Sequence, residues 1–235
     1  MSSKVPKARP YVILNAAMTL CGRIASKTGD SRLSSEEDWV RVHTLRAKVD
    51  GIMVGRNTLV KDDSKLTIKQ ELVGGNLRNP HRVVVDSLAR TPLSARVLYD
   101  TDNTPTTIAI TSRAPPKKIE LLTKAGAKVK ICGDGPKVDL NCLMAHLKKA
   151  ENINTLLLEG GGTLNWAMLK AQLIDEIMVA IAPVVAGGGG SISLFEGEGF
   201  EKLDSSPLLK LKKYQTIGDC FLLSYQVQYQ NTRYF

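Results

Sequence analysis

Aromatic residues are scarce in this chain, with Trp, Tyr and Phe together making 5% of its 235 residues. A surface that reads single-stranded nucleic acid needs stacking rings interleaved with cations, and no stretch supplies them, so a nucleic-acid partner is set aside. Cysteine is also sparse: Cys21, Cys132, Cys142 and Cys220 form no C-x-x-C pair, which removes a zinc ribbon and a disulfide framework. The three histidines, His43, His81 and His146, share no ligand spacing, so no metal is expected and they read as surface or capping groups. There is no apolar run of 18 or more residues, and the basic first ten residues lack the apolar core of a secretory signal. No membrane contact is expected, and a cytoplasmic location is.

What is present is an excess of positive charge. The 32 basic against 23 acidic residues leave a formal +9, and the cations are spread along the chain rather than gathered in one tail. With nucleic acid set aside, anionic small ligands are the partners that such a charge fits. At 43% hydrophobic residues and no repeat or low-complexity linker, the expected organisation is a basic extension (1–9), one domain (10–228) and a short tail (229–235).

Hydrophobic patterning predicts strands at Tyr11 to Ala17, Asp50 to Gly55, Arg82 to Asp86, Thr106 to Thr111, Lys128 to Cys132, Thr155 to Leu158 and Glu176 to Ala182. Helices are predicted from the capping pattern Ser34-Ser35-Glu36-Glu37 to about Lys48, and near Lys117 to Ala125, Leu140 to Ala150 and Thr163 to Ala171. Trp39, Val40, Val42 and Leu45 supply the near-helical apolar spacing of the first helix. Gln70 to His81 reads as a polar surface loop, and Gly187 to Gly190 as another glycine loop at a strand end. Alternating strands and helices imply an α/β fold on a mostly parallel sheet. Leu208 to Thr216 and Cys220 to Gln228 alternate around Ile217-Gly218-Asp219, the pattern of an antiparallel C-terminal hairpin bordering that sheet.

The chemistry gathers at strand ends. The apolar run Thr155-Leu156-Leu157-Leu158 stops at Glu159 and three glycines, Gly160 to Gly162, before Thr163 opens a helix. Glycines at such a junction let backbone N–H groups approach an anion, with Thr163 as a capping or ligand-binding hydroxyl. The loop is neither a Rossmann fingerprint nor a Walker A loop, because the spacing and the Gly-Lys-Ser/Thr closure are missing. Taken alone it is equally a tight turn.

Set in order with Asn15-Ala16-Ala17-Met18-Thr19-Leu20-x-Gly22-Arg23, Asp30-Ser31-Arg32, Arg46-Ala47, Gly55-x-x-Thr58-Leu59-x-x-Asp62-Asp63-x-x-Leu66-Thr67 and Val84-Val85-Asp86-Ser87, the glycine loop resembles the riboflavin-biosynthesis reductases. The resemblance spans roughly Pro10 to Gln228. It implies a dihydrofolate-reductase-like α/β fold, a homodimer, and NADPH-dependent (NADH being possible) reduction of the ribosyl side chain of a phosphorylated pyrimidine to a ribityl one. It places Ala17, Thr58, Asp62, Val84, Val85, Asp86, Ser87, Ile131, Gly160, Gly161, Gly162 and Thr163 beside the cofactor. Asn15, Thr19, Ser31, Arg46, Leu66, Lys69 and Glu159 fall on the substrate side, Arg46 and Lys69 as phosphate partners. Asp62 and Glu159 are the candidate catalytic carboxyls for the proton; alternatively Asp62-Asp63 caps a turn and Glu159 pairs with an arginine. Relatives carry aspartate where this chain has Cys21. No zinc-deaminase pattern precedes the reductase region. A pteridine or dihydrofolate-type reductase and an inactive nucleotide-binding regulator are the competing readings.

Overall fold

A computed structural model describes residues 8–99 and 103–229, so most of the basic extension and nearly all of the tail lie outside the described residues. The strands are β1 (Tyr11–Thr19), β2 (Arg23–Ala25), β3 (Gly51–Gly55), β4 (His81–Val85), β5 (Thr106–Ile110), β6 (Lys128–Ile131), β7 (Thr155–Leu158), β8 (Glu176–Ala182), β9 (Ile192–Ser193), β10 (Leu208–Ile217) and β11 (Cys220–Gln228). The helices are α1 (Glu36–Arg46), α2 (Arg56–Asp62), α3 (Gln70–Val73), α4 (Pro116–Lys124), α5 (Leu140–Lys149) and α6 (Gly162–Lys170). Nine strands form one sheet in the order β10-β11-β8-β1-β7-β3-β4-β5-β6, and β2 pairs with β9 beside it. From β8 to β6 every neighbour is parallel; β11 and β10 join antiparallel at the β8 side. The α/β class and the C-terminal hairpin are as the alternation of the sequence implies.

Parallel strands must be covered on both faces, and two apolar layers do this. Leu143, Met144 and Leu147 of α5 and Leu164, Met168 and Leu169 of α6 pack on Val12, Leu14, Met53 and Leu158. Leu59 of α2 and Leu122 of α4 pack on Ile52, Val54, Val84, Ile108 and Leu157 across the sheet. The parity of β1 and β7 follows. Ile13 and Leu157 face the α2/α4 layer, so Asn15, Ala17, Thr19 and Glu159 lie on that side, while Leu14 and Leu158 face α5 and α6.

Three expectations need correction. Gln70 to His81 is not wholly loop: α3 opens it, and the Gln70 side chain then bridges to both backbone groups of Leu77, which ties the excursion down. The stretch after Gly55 is the helix α2, whose single fully buried apolar residue, Leu59, gave the sequence no periodic stripe to read. The inner face of α1 is polar, with Asp38, His43 and Arg46 buried beside Val42, whereas Trp39 and Val40 face outward. His43 and His81 are therefore buried rather than surface groups.

The start of α6 is braced from outside the sheet. The Gly162 carbonyl accepts the Glu196 N–H at 3.0 Å, the Asn165 amide donates to the Leu194 carbonyl at 2.9 Å, and the Trp166 indole donates to Glu198 at 2.8 Å. A Cβ on Gly162 would meet the Ser193 carbonyl oxygen at 2.5 Å and Glu196 Cγ at 2.7 Å, so backbone would have to move. Gly162→Ala is expected to destabilise the protein by roughly 1–3 kcal/mol, the range for overpacking a tight contact, read as a lowered urea midpoint with unchanged slope. An unchanged midpoint would mean that the brace yields freely.

Candidate active site

The topology locates the site. After β3 the chain runs by α2 toward β4, one way along the sheet, and after β7 it runs by α6 toward β8, the other way. β3 and β7 are neighbours, with Met53 opposite Leu158, so their loops diverge at the carboxyl edge and open a crevice between Gly55–Thr58 and Glu159–Thr163. That is the switch point where open α/β sheets bind ligands. The two loops are stitched together where they leave the sheet. Glu159 N–H donates to the Met53 carbonyl at 2.9 Å and Gly55 N–H to the Gly160 carbonyl at 2.8 Å.

Gly160 takes a φ of +92° that a side chain would disfavour, and the Gly160–Gly161 peptide is cis. Gly161 caps α6, and a Cβ there would come within 2.8 Å of Thr58 Oγ1, so the bare backbone and the Thr58 hydroxyl share one narrow place. The cap is thus Gly161 and not Thr163, which is exposed in the first turn of α6 because extended backbone ends at Gly161. Arg56 begins α2 with its Nε buried and unpartnered. A glycine-lined approach to a helix start, a hydroxyl and an unsatisfied arginine fit the phosphates of a nucleotide.

The other candidate cofactor residues line the carboxyl edge unequally. Val84 is completely buried in the core, Val85 is half-buried, and Ile131 at the end of β6 is 50% exposed. Asp86 is occupied by a turn: one oxygen accepts the Thr91 N–H at 2.6 Å and its hydroxyl at 2.8 Å, while Oδ1 is buried without a partner. The Ser87 carbonyl accepts the Thr111 hydroxyl at 3.0 Å, and its Oγ accepts the Val138 N–H at 3.3 Å. Ala17 is half-buried on β1, opposite Ala180 of β8.

Glu159 and the segment 66–69 converge on α1, whereas Ser31 and Thr19 do not. Arg46 grips Glu159 with both carboxylate oxygens engaged, Nε to Oε1 at 2.9 Å and Nη2 to Oε2 at 2.7 Å, and donates its Nη1 to the Thr67 carbonyl at 2.9 Å. The arginine pairing of Glu159 is therefore the arrangement found. His43 Nδ1 accepts the Lys69 N–H at 3.1 Å, its ring stacks on Trp39, and Lys69 Nζ lies 6.0 Å above the Trp39 ring. Leu66 is buried at a φ of +53°, so α1 moulds the whole segment 66–69. Lys61 of α2 lies over Gly29, which sets the exposed Ser31 beside that helix; Asp30 and Arg32 pair at 2.7 Å. Asp62 is exposed and its carboxylate makes no hydrogen bond among the described residues; partial desolvation pushes that carboxyl above the ordinary range, against the pull of Lys61. Asp63 ends α2 in the left-handed region, and its carboxylate accepts the N–H of the distant Arg96 at 2.9 Å.

Thr19 is buried and committed to the β1–β2 turn, its hydroxyl accepting the Arg23 N–H at 3.1 Å and lying 3.2 Å from Cys21 Sγ. Cys21 itself is exposed; the Thr19 hydroxyl and the Gly187 N–H hold its thiol down at about 7. The glycine loop 187–190 thus meets the first strand's turn, beside a cavity of about 370 Å³ lined by Ser26 to Thr28 and Ala186 to Ser191. Among the described residues no group of His, Cys, Asp or Glu is arranged to hold a metal, and no helix is long and apolar enough to cross a membrane. Asp38 and Arg41 have no role in the sequence reading; their signal is that Asp38, Arg41 and Arg46 stand at a helical spacing usually kept for an apolar stripe.

A doubly wound sheet with a nucleotide-fitting glycine loop and a charged pocket at its switch point defines a nucleotide-dependent α/β enzyme. Residues 10–223 match the model of the RibD C-terminal domain. The chain is 46% identical over 221 residues to the 2,5-diamino-6-ribosylamino-4(3H)-pyrimidinone 5′-phosphate reductase of Methanothermobacter thermautotrophicus, covering 94% of this chain and 99% of that one. The reductase of the same name from Archaeoglobus fulgidus is 36% identical over 223 residues, 92% of this chain and 97% of that one. Among solved structures, Acinetobacter baumannii RibD superposes with a TM-score of 0.81 at 26% identity over 94% of this chain, which spans 59% of that longer protein. A pyrimidine reductase-like protein of Corynebacterium diphtheriae shares the fold, with a TM-score of 0.79 at 16% identity over 93% of this chain and 92% of that one. This chain belongs to the RibD C-terminal domain family of riboflavin-biosynthesis reductases, an oxidoreductase family that implies a nicotinamide nucleotide cofactor.

Burial holds His43 and His81 down at about 4. Their folded values lie below the unfolded value of 6.5, so between the two the unfolded chain takes up protons that the fold refuses. Stability should be full above about pH 6.5 and fall as pH drops toward about 4, by on the order of 2 kcal/mol per ring between about pH 7 and 5. Urea unfolding across that range checks this. A His43→Asn variant should lose its share of the slope, and an unaltered slope would contradict the burial argument.

Proposed function

We propose that this chain uses NADPH to reduce the ribosylamino side chain of 2,5-diamino-6-ribosylamino-4(3H)-pyrimidinone 5′-phosphate to the ribitylamino product. The observation that carries the reading is the juxtaposition, at one crevice, of the Gly160–Gly161/Thr58 cradle and the Arg46–Glu159 pair with the Lys69 segment beside it. The Gly160–Gly161/Thr58 cradle would hold a nicotinamide nucleotide, which would supply the hydride for reduction of C1′ of the ring-opened sugar. The protein supplies position and a proton. Lys69 attracts the phosphate end, and Arg46, its charge met by Glu159, forms with it a fixed wall against which the sugar is held. Both Glu159 oxygens are engaged by Arg46, so Asp62, with a free and upshifted carboxyl, is the group assigned to deliver the proton, and Glu159 is assigned to positioning. The preference for NADPH is supported by two cations that could meet a 2′-phosphate, Arg56, whose Nε lacks a partner, and the exposed Arg90 beyond β4.

Loss of absorbance of the reduced nicotinamide, followed with the ribosylaminopyrimidine phosphate and either NADPH or NADH, tests this. Oxidation that requires the pyrimidine phosphate, with the lower KM for NADPH, is expected. Asp62→Asn should cut kcat by about 100-fold or more with modest change in KM, while Glu159→Gln should chiefly raise the substrate KM. Tight cofactor binding without substrate-dependent oxidation would sink the reading in favour of a nucleotide-binding regulator.

Homodimerisation belongs to the same proposal, as does a cytoplasmic setting. Leu209, Leu211 and Tyr214 of β10 share a sheet face with Phe221 of β11; all four are exposed, and Tyr214 stacks on Phe221 at 6.1 Å. Such a contiguous apolar face suits a second copy of the chain. Light scattering should return about twice 25.6 kDa, and Leu211→Glu with Tyr214→Glu should halve it. A wild-type monomer would overturn the assignment.

A further inference from the structure

Three successive backbone positions ahead of α3 are each held by a side chain from another part of the chain. The Thr67 carbonyl accepts from Arg46 Nη1 at 2.9 Å, the Ile68 N–H donates to Asn79 Oδ1 at 2.9 Å, and the Lys69 N–H donates to His43 Nδ1 at 3.1 Å. The exposed Lys69 side chain therefore springs from a pinned backbone. Its Nζ makes no hydrogen bond or ion pair among the described residues and lies instead 6.0 Å from the centre of the Trp39 ring. Trp39 is in turn stacked on His43, one helical turn along α1, with the ring centroids 5.8 Å apart. His43 buries its Nε2 without a partner, a cost that stability alone does not select. A carboxylate in place of the indole would neutralise the ammonium. A ring face attracts it and leaves the charge for an anion.

We propose that Trp39 and His43 are positioning residues that hold Lys69 ready for the substrate phosphate, His43 through the backbone and Trp39 through the ammonium. The inference rests on the reductase reading, which gives Lys69 the phosphate, and adds what aims it. A free lysine stem samples many rotamers, and that freedom is lost when a phosphate binds. Here the ring narrows the choice before the ligand arrives. Neither Trp39 nor His43 touches the ligand; both act only through Lys69.

Trp39→Leu tests this without opening the core, since Trp39 is 45% exposed. The substrate KM should rise about two- to fivefold, the worth of an exposed cation–π contact, with kcat, the KM for NADPH and the melting temperature close to those of the parent. Trp39→Phe should restore part of the loss, and in a Lys69→Met background Trp39→Leu should add nothing. His43→Leu should raise the same KM severalfold, and His43→Asn, which keeps an acceptor for the Lys69 N–H, should restore part of it. Independently of turnover, inorganic phosphate should alter indole emission in the parent and leave it unaltered in Lys69→Met and Trp39→Leu. An active parent whose substrate KM is untouched by Trp39→Leu, or is raised by it as much in the Lys69→Met background, overturns the inference alone. A lowered melting temperature with equal losses for both ligands makes the ring merely structural and likewise overturns it. An inactive parent that keeps the phosphate response overturns the reductase reading and leaves the Lys69 clamp standing; an inactive parent without that response overturns both.

Discussion

The bidentate grip of Arg46 on Glu159 is the contact on which the cleft depends. It joins three pieces far apart in sequence: the end of α1, the loop after β7, and, through the Thr67 carbonyl, the segment that leads to Lys69. Arg46 and Glu159 are each about nine-tenths buried, so neither charge can be solvated if its partner is lost. Removing one member of such a pair typically costs roughly 3–5 kcal/mol. The pair thus couples the position of a helix to the shape of a glycine loop, and substrate and cofactor share a wall that cannot move on one side alone.

Much of this architecture was legible in the chain because parallel strands announce themselves. Thr155–Leu158 and Glu176–Ala182 are predicted over the residues that form them, since strands buried on both faces are written as unbroken apolar runs. The hairpin was legible for the opposite reason, its regular alternation around Gly218-Asp219. The strand-end loops could be ordered but not assembled. Whether Glu159 acts alone or in a pair is decided by where α1 crosses the sheet, a tertiary fact with no local signature.

What stayed hidden was polarity in a place where apolar residues are expected. α1 turns Asp38, Val42, His43 and Arg46 inward and leaves the ring of Trp39 outside to meet Lys69. A reader of spacing assigns the apolar residues to the core and turns the helix the wrong way. The short α2 was hidden by size, having room for one buried leucine. In both cases the sequence departs from a packing rule next to the cleft, where function rather than stability chooses the side chain.

The lysines on the sheet borders change the meaning of the chain's positive charge. An open sheet has two outer strands with unpaired backbone groups, and here one of them, β6, carries Lys128 and Lys130, while the other, β10, carries Lys210, Lys212 and Lys213 around a register shift between Leu211 and Lys213. A strand approaching either border meets the cations left unpaired there, Lys128 and Lys212 being bound to Glu151 and Glu176, or an interrupted ladder. Part of the +9 is therefore insulation against end-to-end polymerisation, and only the remainder is available to draw phosphates to the crevice.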